Sequence, residues 1–208
     1  LFRSQIVAGL NIGLAGIPWW TTDIGGFHGA RGDDPAFREL FARWFAYGCF
    51  CPVMRLHGSR EPWHEVAPGK TPSGADNEIW SFGEENFALC RKYIALRERM
   101  RDYNRQQMKE AHLHGTPVIR PLFYDTPEDP EAWEPDDEYM FGPDLLVAPV
   151  LEAGASDRRV YLPAGRRWVN AWTGETLEGG RTVTVRAPLD VIPVFAREGA
   201  AVLKAFTE

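Results

Sequence analysis

The chain has 208 residues, and 44% of them are hydrophobic, which is enough to bury a core in one large domain or two small ones. A formal net charge of -6 argues against a surface for nucleic acid or for an anionic membrane. No apolar run approaches the roughly 20 residues that a membrane-spanning helix needs.

The first residue and the cysteines bear on the origin and compartment of the chain. The chain starts at Leu1 rather than at a methionine, and its N-terminal residues show no secretory signal. We therefore expect it to be a piece of a longer polypeptide. The three cysteines, Cys49, Cys51 and Cys90, suit reduced core thiols better than a disulfide framework, so we expect a cytoplasmic protein.

The first half of the chain alternates between helical and strand-like patterns. The spacing of apolar residues predicts a helix over residues 1–10 and a buried strand over 16–22. Asp34 as N-cap and Pro35 in the first helical position then predict a helix that ends near Gly48. A second short apolar run predicts a strand over residues 50–56.

A long loop and a long helix follow. The loop covers residues 58–79 and is rich in proline, glycine and acids; loops of that length are usually functional or disordered. Ser81 and Glu84 form a capping-box pattern for a single helix over residues 82–114. The order strand, helix, strand, loop, helix gives two consecutive βα units, which favours a parallel sheet.

Helical periodicity ends at Gly115, and short β-rich runs separated by turn signals take over. Such punctuation is typical of an antiparallel sandwich. We therefore predict an α/β domain over residues 1–115 and an all-β domain over residues 116–208. The predicted strands cover residues 118–124, 145–150, 159–162, 168–172, 182–185 and 191–196.

Both predicted strands of the first half end in polar or aromatic side chains. The first ends in Asp23 and Phe27, the second in Arg55 and His57. In a parallel barrel these four residues share one rim, where Arg55 can hold Asp23 ionised, His57 can donate to a hydroxyl and Phe27 can stack on a ring. This is a polyol-binding constellation. The plainer alternative is that Asp23 only caps a turn before glycines.

A catalytic pair of carboxylates is not evident at this rim. Glycoside hydrolysis needs two carboxyl groups, and the rim offers one. The acids of the long loop follow no pattern that assigns them a role, and we expect them to be solvated. His64 with its neighbouring acids matches no metal-ligand spacing, and His28 is interpreted as a loop residue beside the rim. We expect no metal and no cofactor.

Several ordered motifs resemble glycoside hydrolase family 31, a family of α-glucosidases, α-xylosidases and relatives. They run over almost the whole chain and read GIPWWTTDIGGFHG, RWFAYGCFCPVMRLHGSREPW, GTPVIRPLFYDTPED, YMFGPDLLVAPVLEAG, VYLPAGRRW and IPVFAREGA. The resemblance implies the last two βα units of a (β/α)8 TIM barrel followed by an antiparallel β-sandwich. It also implies a retaining α-glycoside hydrolase, of α-xylosidase or α-glucosidase type, that acts on terminal α-linked sugars.

The resemblance also implies roles for individual residues. Asp23 and Phe27 match the family's DIGGF-type motif and would contribute to the sugar pocket; Arg55 and His57 match its R-x-H motif and would bind or support the nonreducing sugar. The nucleophile and the acid/base aspartate are expected upstream of Leu1. This segment alone is therefore expected to be inactive, with no catalytic residue of its own.

Three functional readings follow from these residues. The first is the α-glycosidase; the others are a noncatalytic carbohydrate-binding module and a purely structural domain. The His-Gly-Ser run that starts at His57 resembles the α-xylosidases of the family more than its other members. We expect a carbohydrate substrate and neither nucleic acid nor membrane as partner. Two barrel units leave a sheet edge that the rest of the barrel or another chain is expected to cover.

Overall fold

The computed structural model describes residues 1–70 and 72–207, so position 71 of the predicted long loop and position 208 lie outside the described residues.

Asp34 caps its helix as predicted: its side chain accepts a hydrogen bond of 3.0 Å from the backbone N–H of Ala36, and Pro35 opens the helix. The described residues of the first half form four helices and one hairpin: α1 (Phe2–Leu14), α2 (Pro35–Cys49), β1 (Arg60–His64), β2 (Ser73–Ala75), α3 (Glu84–Arg99) and α4 (Arg101–His114).

The prediction of regular strands over residues 16–22 and 50–56 is wrong. Both segments lack a continuous ladder of backbone bonds. Val53 N–H donates to the Trp20 carbonyl at 3.1 Å, and Ile24 N–H donates to the Arg55 carbonyl at 3.4 Å. Two bonds are too few for a regular sheet. The segments nevertheless run side by side in the same direction, as neighbouring barrel strands do.

Three local predictions in the middle of the chain also fail. The helix predicted over residues 82–114 is interrupted at Met100, which separates α3 from α4. The capping box is wrong because Gly83, with a positive φ of 92°, is the N-cap of α3, while the Ser81 hydroxyl donates to Glu78 instead. The predicted loop contains the β1–β2 hairpin. Among the described residues, none of the helices has the length and apolar content to cross a bilayer.

The second half is an antiparallel sandwich, as predicted. Its strands are β3 (Ile119–Arg120), β4 (Tyr139–Phe141), β5 (Leu145–Val147), β6 (Asp157–Leu162), β7 (Arg167–Asn170), β8 (Thr176–Glu178), β9 (Arg181–Arg186) and β10 (Val194–Arg197). The strand predicted over residues 118–124 ends at Arg120, because Pro121 precedes a short helix α5 (Leu122–Asp125). One sheet has six strands in the order β3-β4-β5-β10-β7-β8, and a two-stranded sheet pairs β6 with β9.

The strands β3, β4, β5 and β10 of the six-stranded sheet are buried on both faces. Alternate residues of the sheet point to opposite sides, as the two-residue period of a strand requires. One face joins the helices of the first half in a single core, and it carries Tyr139, Phe141, Leu145, Val147, Val194 and Ala196. The other face packs under β6 and β9 in a second core, and it carries Met140, Leu146, Trp168 and Phe195. The sandwich is thereby fixed against the helices that position the site.

Candidate functional site

The segments that follow the two predicted strands continue side by side. The N–H of Ser59 donates to the Phe27 carbonyl at 2.8 Å, and the N–H of Glu61 donates to the Ala30 carbonyl at 2.9 Å. The polar side chains that follow residues 16–22 and 50–56 therefore lie on adjacent pieces of backbone. This is the juxtaposition that the sequence predicts.

Asp23 and Arg55 form an ion pair across these segments. A guanidinium N–H of Arg55 donates to an Asp23 carboxylate oxygen. The Asp23 side chain is 22% exposed and that of Arg55 is 51% exposed, so solvent screens the pair and it contributes little to stability. Its consequence is orientation: the carboxylate is held by one oxygen, and the other oxygen is available to a hydroxyl group.

Phe27 and His57 form a second pair. Their rings are stacked, with centroids 5.3 Å apart and an interplanar angle of 26°. Phe27 is 49% exposed, which is unusual for so large an apolar side chain. The pair offers an apolar face beside an imidazole that can donate and accept hydrogen bonds. All four predicted site residues are thus found in two contacting pairs.

The turn between Asp23 and Phe27 depends on glycine. Gly25 has a φ of 81°, and a Cβ added there would lie 3.0 Å from a guanidinium nitrogen of Arg60. Gly58 has a φ of 124°, and a Cβ there would lie 2.4 Å from the Phe27 carbonyl oxygen. A side chain at either position would be strained and would displace the turn that presents the site.

Arg60 is the residue that sequence reasoning missed. It is completely buried and holds the turn through backbone carbonyls: it donates to Ile24 at 3.2 Å, Gly26 at 3.0 Å and Gly29 at 3.2 Å. Its guanidinium lies 4.9 Å from the ring centroid of Phe37, and burial lowers its pKa. An arginine in a polar loop gives no signal of this role, because its acceptors are backbone groups distant in sequence.

The acids of the long loop make local contacts. Glu65 accepts from the Gly69 N–H at 2.7 Å, and Glu78 accepts from the Ser81 hydroxyl at 3.3 Å. Within residues 1–70 and 72–207, no group of three His, Cys, Asp or Glu side chains is arranged to hold a metal ion. Asp23 is the acidic side chain predicted at the rim, and it is already paired with Arg55.

Two parallel segments carry the ion pair and the ring stack, and they are followed by helices and an antiparallel sandwich. This order fits the closing part of an α/β barrel with a sheet domain behind it. Family models agree. The model of the glycosyl hydrolases family 31 TIM-barrel domain matches residues 1–106, and that of the glycosyl hydrolase family 31 C-terminal domain matches residues 115–202. The chain belongs to glycoside hydrolase family 31.

Individual relatives and solved structures agree with the family models. The chain is 39% identical over 198 residues to an α-xylosidase of Saccharolobus solfataricus, covering 95% of this chain and 25% of the relative. It is 37% identical over 212 residues to α-xylosidase A of Aspergillus niger, covering 92% of this chain and 28% of the relative. The structure of a soil-metagenome family 31 α-xylosidase complexed with xylose superposes with a TM-score of 0.94 at 54% identity, over 97% of this chain and 31% of that one. The chain therefore spans about a quarter to a third of these proteins.

Proposed function

We propose that this chain forms one side of the glycone pocket of a retaining α-glycosidase. The observation that carries the proposal is the pairing of Asp23 with Arg55 beside the stacked Phe27 and His57. Membership of family 31 supports the reaction class. Residues 1–115 are the barrel portion in this proposal, and residues 116–208 are the sandwich that packs behind it.

Each of the four side chains has a distinct task in binding the sugar. Asp23 accepts from a sugar hydroxyl with the carboxylate oxygen that Arg55 leaves free, and Arg55 holds the carboxylate in its orientation. His57 exchanges hydrogen bonds with a second hydroxyl. Phe27 covers the apolar C–H face of the ring and keeps water away from it. The result is an oriented sugar at a defined position on the rim, which is the precondition for attack at its anomeric carbon.

The two carboxyl groups that perform retaining hydrolysis belong to the rest of the longer protein in this proposal. A retaining enzyme needs them about 5–5.5 Å apart. Asp23 serves poorly as one of them, because one of its carboxylate oxygens is already engaged by the Arg55 guanidinium. We therefore infer that the isolated 208-residue chain turns over no glycoside.

We infer that xylose is the preferred glycone. The support comes from the relatives named α-xylosidase, including the structure in complex with xylose, and from the run His57-Gly58-Ser59. The alternative is glucose, since an α-glucosidase of Bacillus thermoamyloliquefaciens is 35% identical over 93% of this chain and 22% of its own length. Substrate comparison separates the two.

The test uses the full-length protein that contains this chain, with nitrophenyl α-xyloside and nitrophenyl α-glucoside as substrates. Hydrolysis is expected, with the xyloside preferred. His57→Ala and Asp23→Asn each remove a hydrogen bond to the sugar, which costs about 1–3 kcal/mol, or roughly 5- to 150-fold in kcat/KM. Asp33→Asn is the matched control, because Asp33 forms an exposed ion pair with Arg31 at 2.9 Å on the same stretch.

Three outcomes would contradict the proposal. Sugar binding without hydrolysis of either substrate favours a noncatalytic carbohydrate-binding module. That interpretation is consistent with a single predicted carboxylate at the rim. Unchanged kcat/KM in the His57 and Asp23 variants favours a structural role for these residues. Turnover by the 208-residue chain alone would show that the catalytic carboxylates have been placed wrongly.

Two further inferences concern the surroundings of this chain. Ile17 and Trp19 are 53% and 63% exposed on the segment before Asp23, and we infer that another part of the longer protein, or another chain, covers them.

The three cysteines are free and buried, which supports a reducing compartment such as the cytoplasm. Cell fractionation with an antibody to the protein tests the location.

A further inference from the structure

Two arginines of the sandwich, Arg166 and Arg197, are brought together at Trp168. Arg197 is the last residue of β10, and its backbone is paired with that of Trp168 on β7. It follows Phe195 by two residues, so its side chain points to the sheet face that carries Phe195 and Trp168. The Arg166 guanidinium lies 5.8 Å from the ring centroid of Trp168. Two positive charges therefore flank one indole on the same face of the sheet.

The carboxylates around this arginine pair do not neutralise it. Asp125 is engaged by Arg120, which donates to both of its carboxylate oxygens, at 2.9 and 3.1 Å. The backbone carbonyl of Asp144 accepts from the Arg197 N–H at 2.8 Å. Within residues 1–70 and 72–207, however, neither Arg166 nor Arg197 forms an ion pair with a carboxylate, whereas their neighbour Arg120 does.

The Nε of Arg197 is a buried donor. Among the residues that the structure describes, no oxygen accepts a hydrogen bond from it. Burial lowers the pKa of Arg197; the charges of Arg166 and Arg120 lower it as well, and those of Asp125 and Asp144 oppose them. A guanidinium nevertheless stays charged in proteins, so a buried one needs acceptors for its N–H groups.

We propose that Arg166 and Arg197 form a binding site for a small oxyanion, of which inorganic phosphate and sulfate are the simplest. A planar guanidinium presents parallel N–H donors whose spacing matches two oxygens of such an anion. The anion accepts from Nε of Arg197 and from the guanidinium of Arg166, and its charge offsets the repulsion between the two. This site does not depend on the proposed function, because both arginines belong to the sandwich and the reasoning uses no sugar contact.

Arg120 shows by contrast why the other two arginines are the ligands. Its guanidinium donates to the Pro117 carbonyl at 3.0 Å in addition to both oxygens of Asp125, and it is 3% exposed. Arg120 is therefore already supplied with acceptors, and it contributes positive charge to the site without contacting the anion. An anion held by Arg166 and Arg197 joins the end of β10 to the turn before β7, so its binding stabilises the folded sandwich.

The experiment titrates inorganic phosphate into the full-length protein that contains this chain, by isothermal titration calorimetry at neutral pH. Sodium chloride holds the ionic strength constant, so that screening of surface charges does not change during the titration. We expect saturable binding of a single phosphate, competition by sulfate, and a Tm that rises with phosphate concentration.

Substitutions of the two arginines locate the binding. Arg197→Gln and Arg166→Gln should each weaken phosphate binding by about tenfold or more, since a hydrogen bond to a charged group contributes roughly that factor. Arg197→Lys keeps the charge but lacks the Nε donor and the planar fork, so it should recover only part of the affinity.

Arg181→Gln is the matched control. Arg181 lies on β9 of the same sandwich and is exposed, so its replacement removes the same charge from the protein without touching the arginine pair. Phosphate affinity should remain that of the unaltered protein.

Three results would overturn the site and leave the proposed function untouched. The first is no phosphate binding by the unaltered full-length protein, as expected if an acidic side chain from elsewhere in the longer protein pairs with these arginines. The second is equal phosphate affinity in the Arg166, Arg197 and Arg181 variants. The third is equal stabilisation by phosphate and chloride at one ionic strength. If Arg197→Gln fails to fold, unchanged affinity in Arg166→Gln overturns the proposal equally.

Discussion

Buried charged groups in this chain are held mainly by backbone atoms. Arg60 donates to carbonyl oxygens of the site turn, and Glu138 accepts from the Tyr161 N–H with both carboxylate oxygens, at 3.0 and 3.2 Å. Burying a charge is costly unless its hydrogen bonds are replaced. The two groups respond differently: arginine remains charged, whereas a carboxyl group can take up a proton. Glu138 is therefore a residue through which pH acts on stability.

Replacing Glu138 by glutamine should remove a pH dependence of stability. Burial, the largest cause, raises the pKa of Glu138 from about 4.5 to about 8; its hydrogen bond from Tyr161 and the charge of Arg158 oppose the shift, and Asp137 adds to it. Because folding raises this pKa, the contribution of Glu138 to the free energy of unfolding is fully present below about pH 4.5. That contribution is lost as the pH rises through about 8. At pH 8 Glu138→Gln is expected to be more stable than the unaltered protein, by about 2–4 kcal/mol. At pH 4.5 the two should be alike.

Urea unfolding at pH 4.5, 6 and 8 checks this expectation. Glu134→Gln is a suitable control, because Glu134 is exposed and shares the adjoining surface with Glu138. Equal pH slopes in the unaltered protein and in Glu138→Gln would show that the buried carboxyl group does not titrate in this range.

At the scale of elements, the predictions that succeeded depend on local chemistry. Asp34 and Pro35 begin a helix whatever lies around them, and alternating apolar residues make a sandwich strand recognisable. The elements that were missed depend on distant parts of the chain. Tyr139–Phe141 is buried at every residue, so it shows no alternation, and the hairpin strand Arg60–His64 is exposed at all residues but the first.

The residues of the candidate site also fall into two groups, those that the sequence predicts and one that it does not. Asp23, Phe27, Arg55 and His57 could be predicted because each follows a short apolar run that ends at the same edge. Arg60 could not, because its partners are carbonyl oxygens 31 to 36 residues earlier in the chain. A pattern in sequence identifies side chains with recognisable chemistry, and the residue that organises their backbone becomes visible only in three dimensions.

Arg60→Met is expected to loosen the turn that carries the site. Methionine keeps the apolar contact with Phe37 but leaves the carbonyl groups of Ile24 and Gly26 without a donor. Each unsatisfied buried carbonyl costs about 1–3 kcal/mol, so amide hydrogen exchange over residues 23–30 should rise by one to two orders of magnitude, as roughly 1.4 kcal/mol corresponds to tenfold. Mass spectrometry of exchanged peptides measures this.

Arg91→Met provides the matched control for this variant. Arg91 also lies over an aromatic ring, 5.8 Å from the centroid of Phe87, but it is exposed. Its loss should leave the exchange of residues 23–30 unaltered. The assignment of Arg60 as a positioning residue fails if Arg60→Met exchanges in that segment at the same rate as the Arg91 variant.

At the scale of the whole molecule, the barrel portion and the sandwich share one core. One face of the six-stranded sheet packs on the helices of the first half, and Arg43 of α2 reaches across to the sandwich. Arg43 donates to the carbonyls of Ala155 at 2.6 Å, Ala187 at 3.1 Å and Pro188 at 2.9 Å. Packing and hydrogen bonds of this kind make separate unfolding of the two halves unfavourable, since either half alone would expose its share of the core.

Arg43→Met tests whether the two halves unfold together. Arg43 is 7% exposed, and its removal leaves the carbonyls of Ala155, Ala187 and Pro188 without their donor, so stability should fall by about 2–4 kcal/mol. The transition should remain single, whether it is followed by tryptophan fluorescence or by circular dichroism. Lys92→Met is the control, because Lys92 joins α3 to Asp190 by an ion pair whose side chains are 34% and 57% exposed, and its loss should cost less than about 1 kcal/mol. Two separated transitions in the unaltered protein would show that the sandwich is an independent unit, and that Arg43 connects two stable domains instead of completing one.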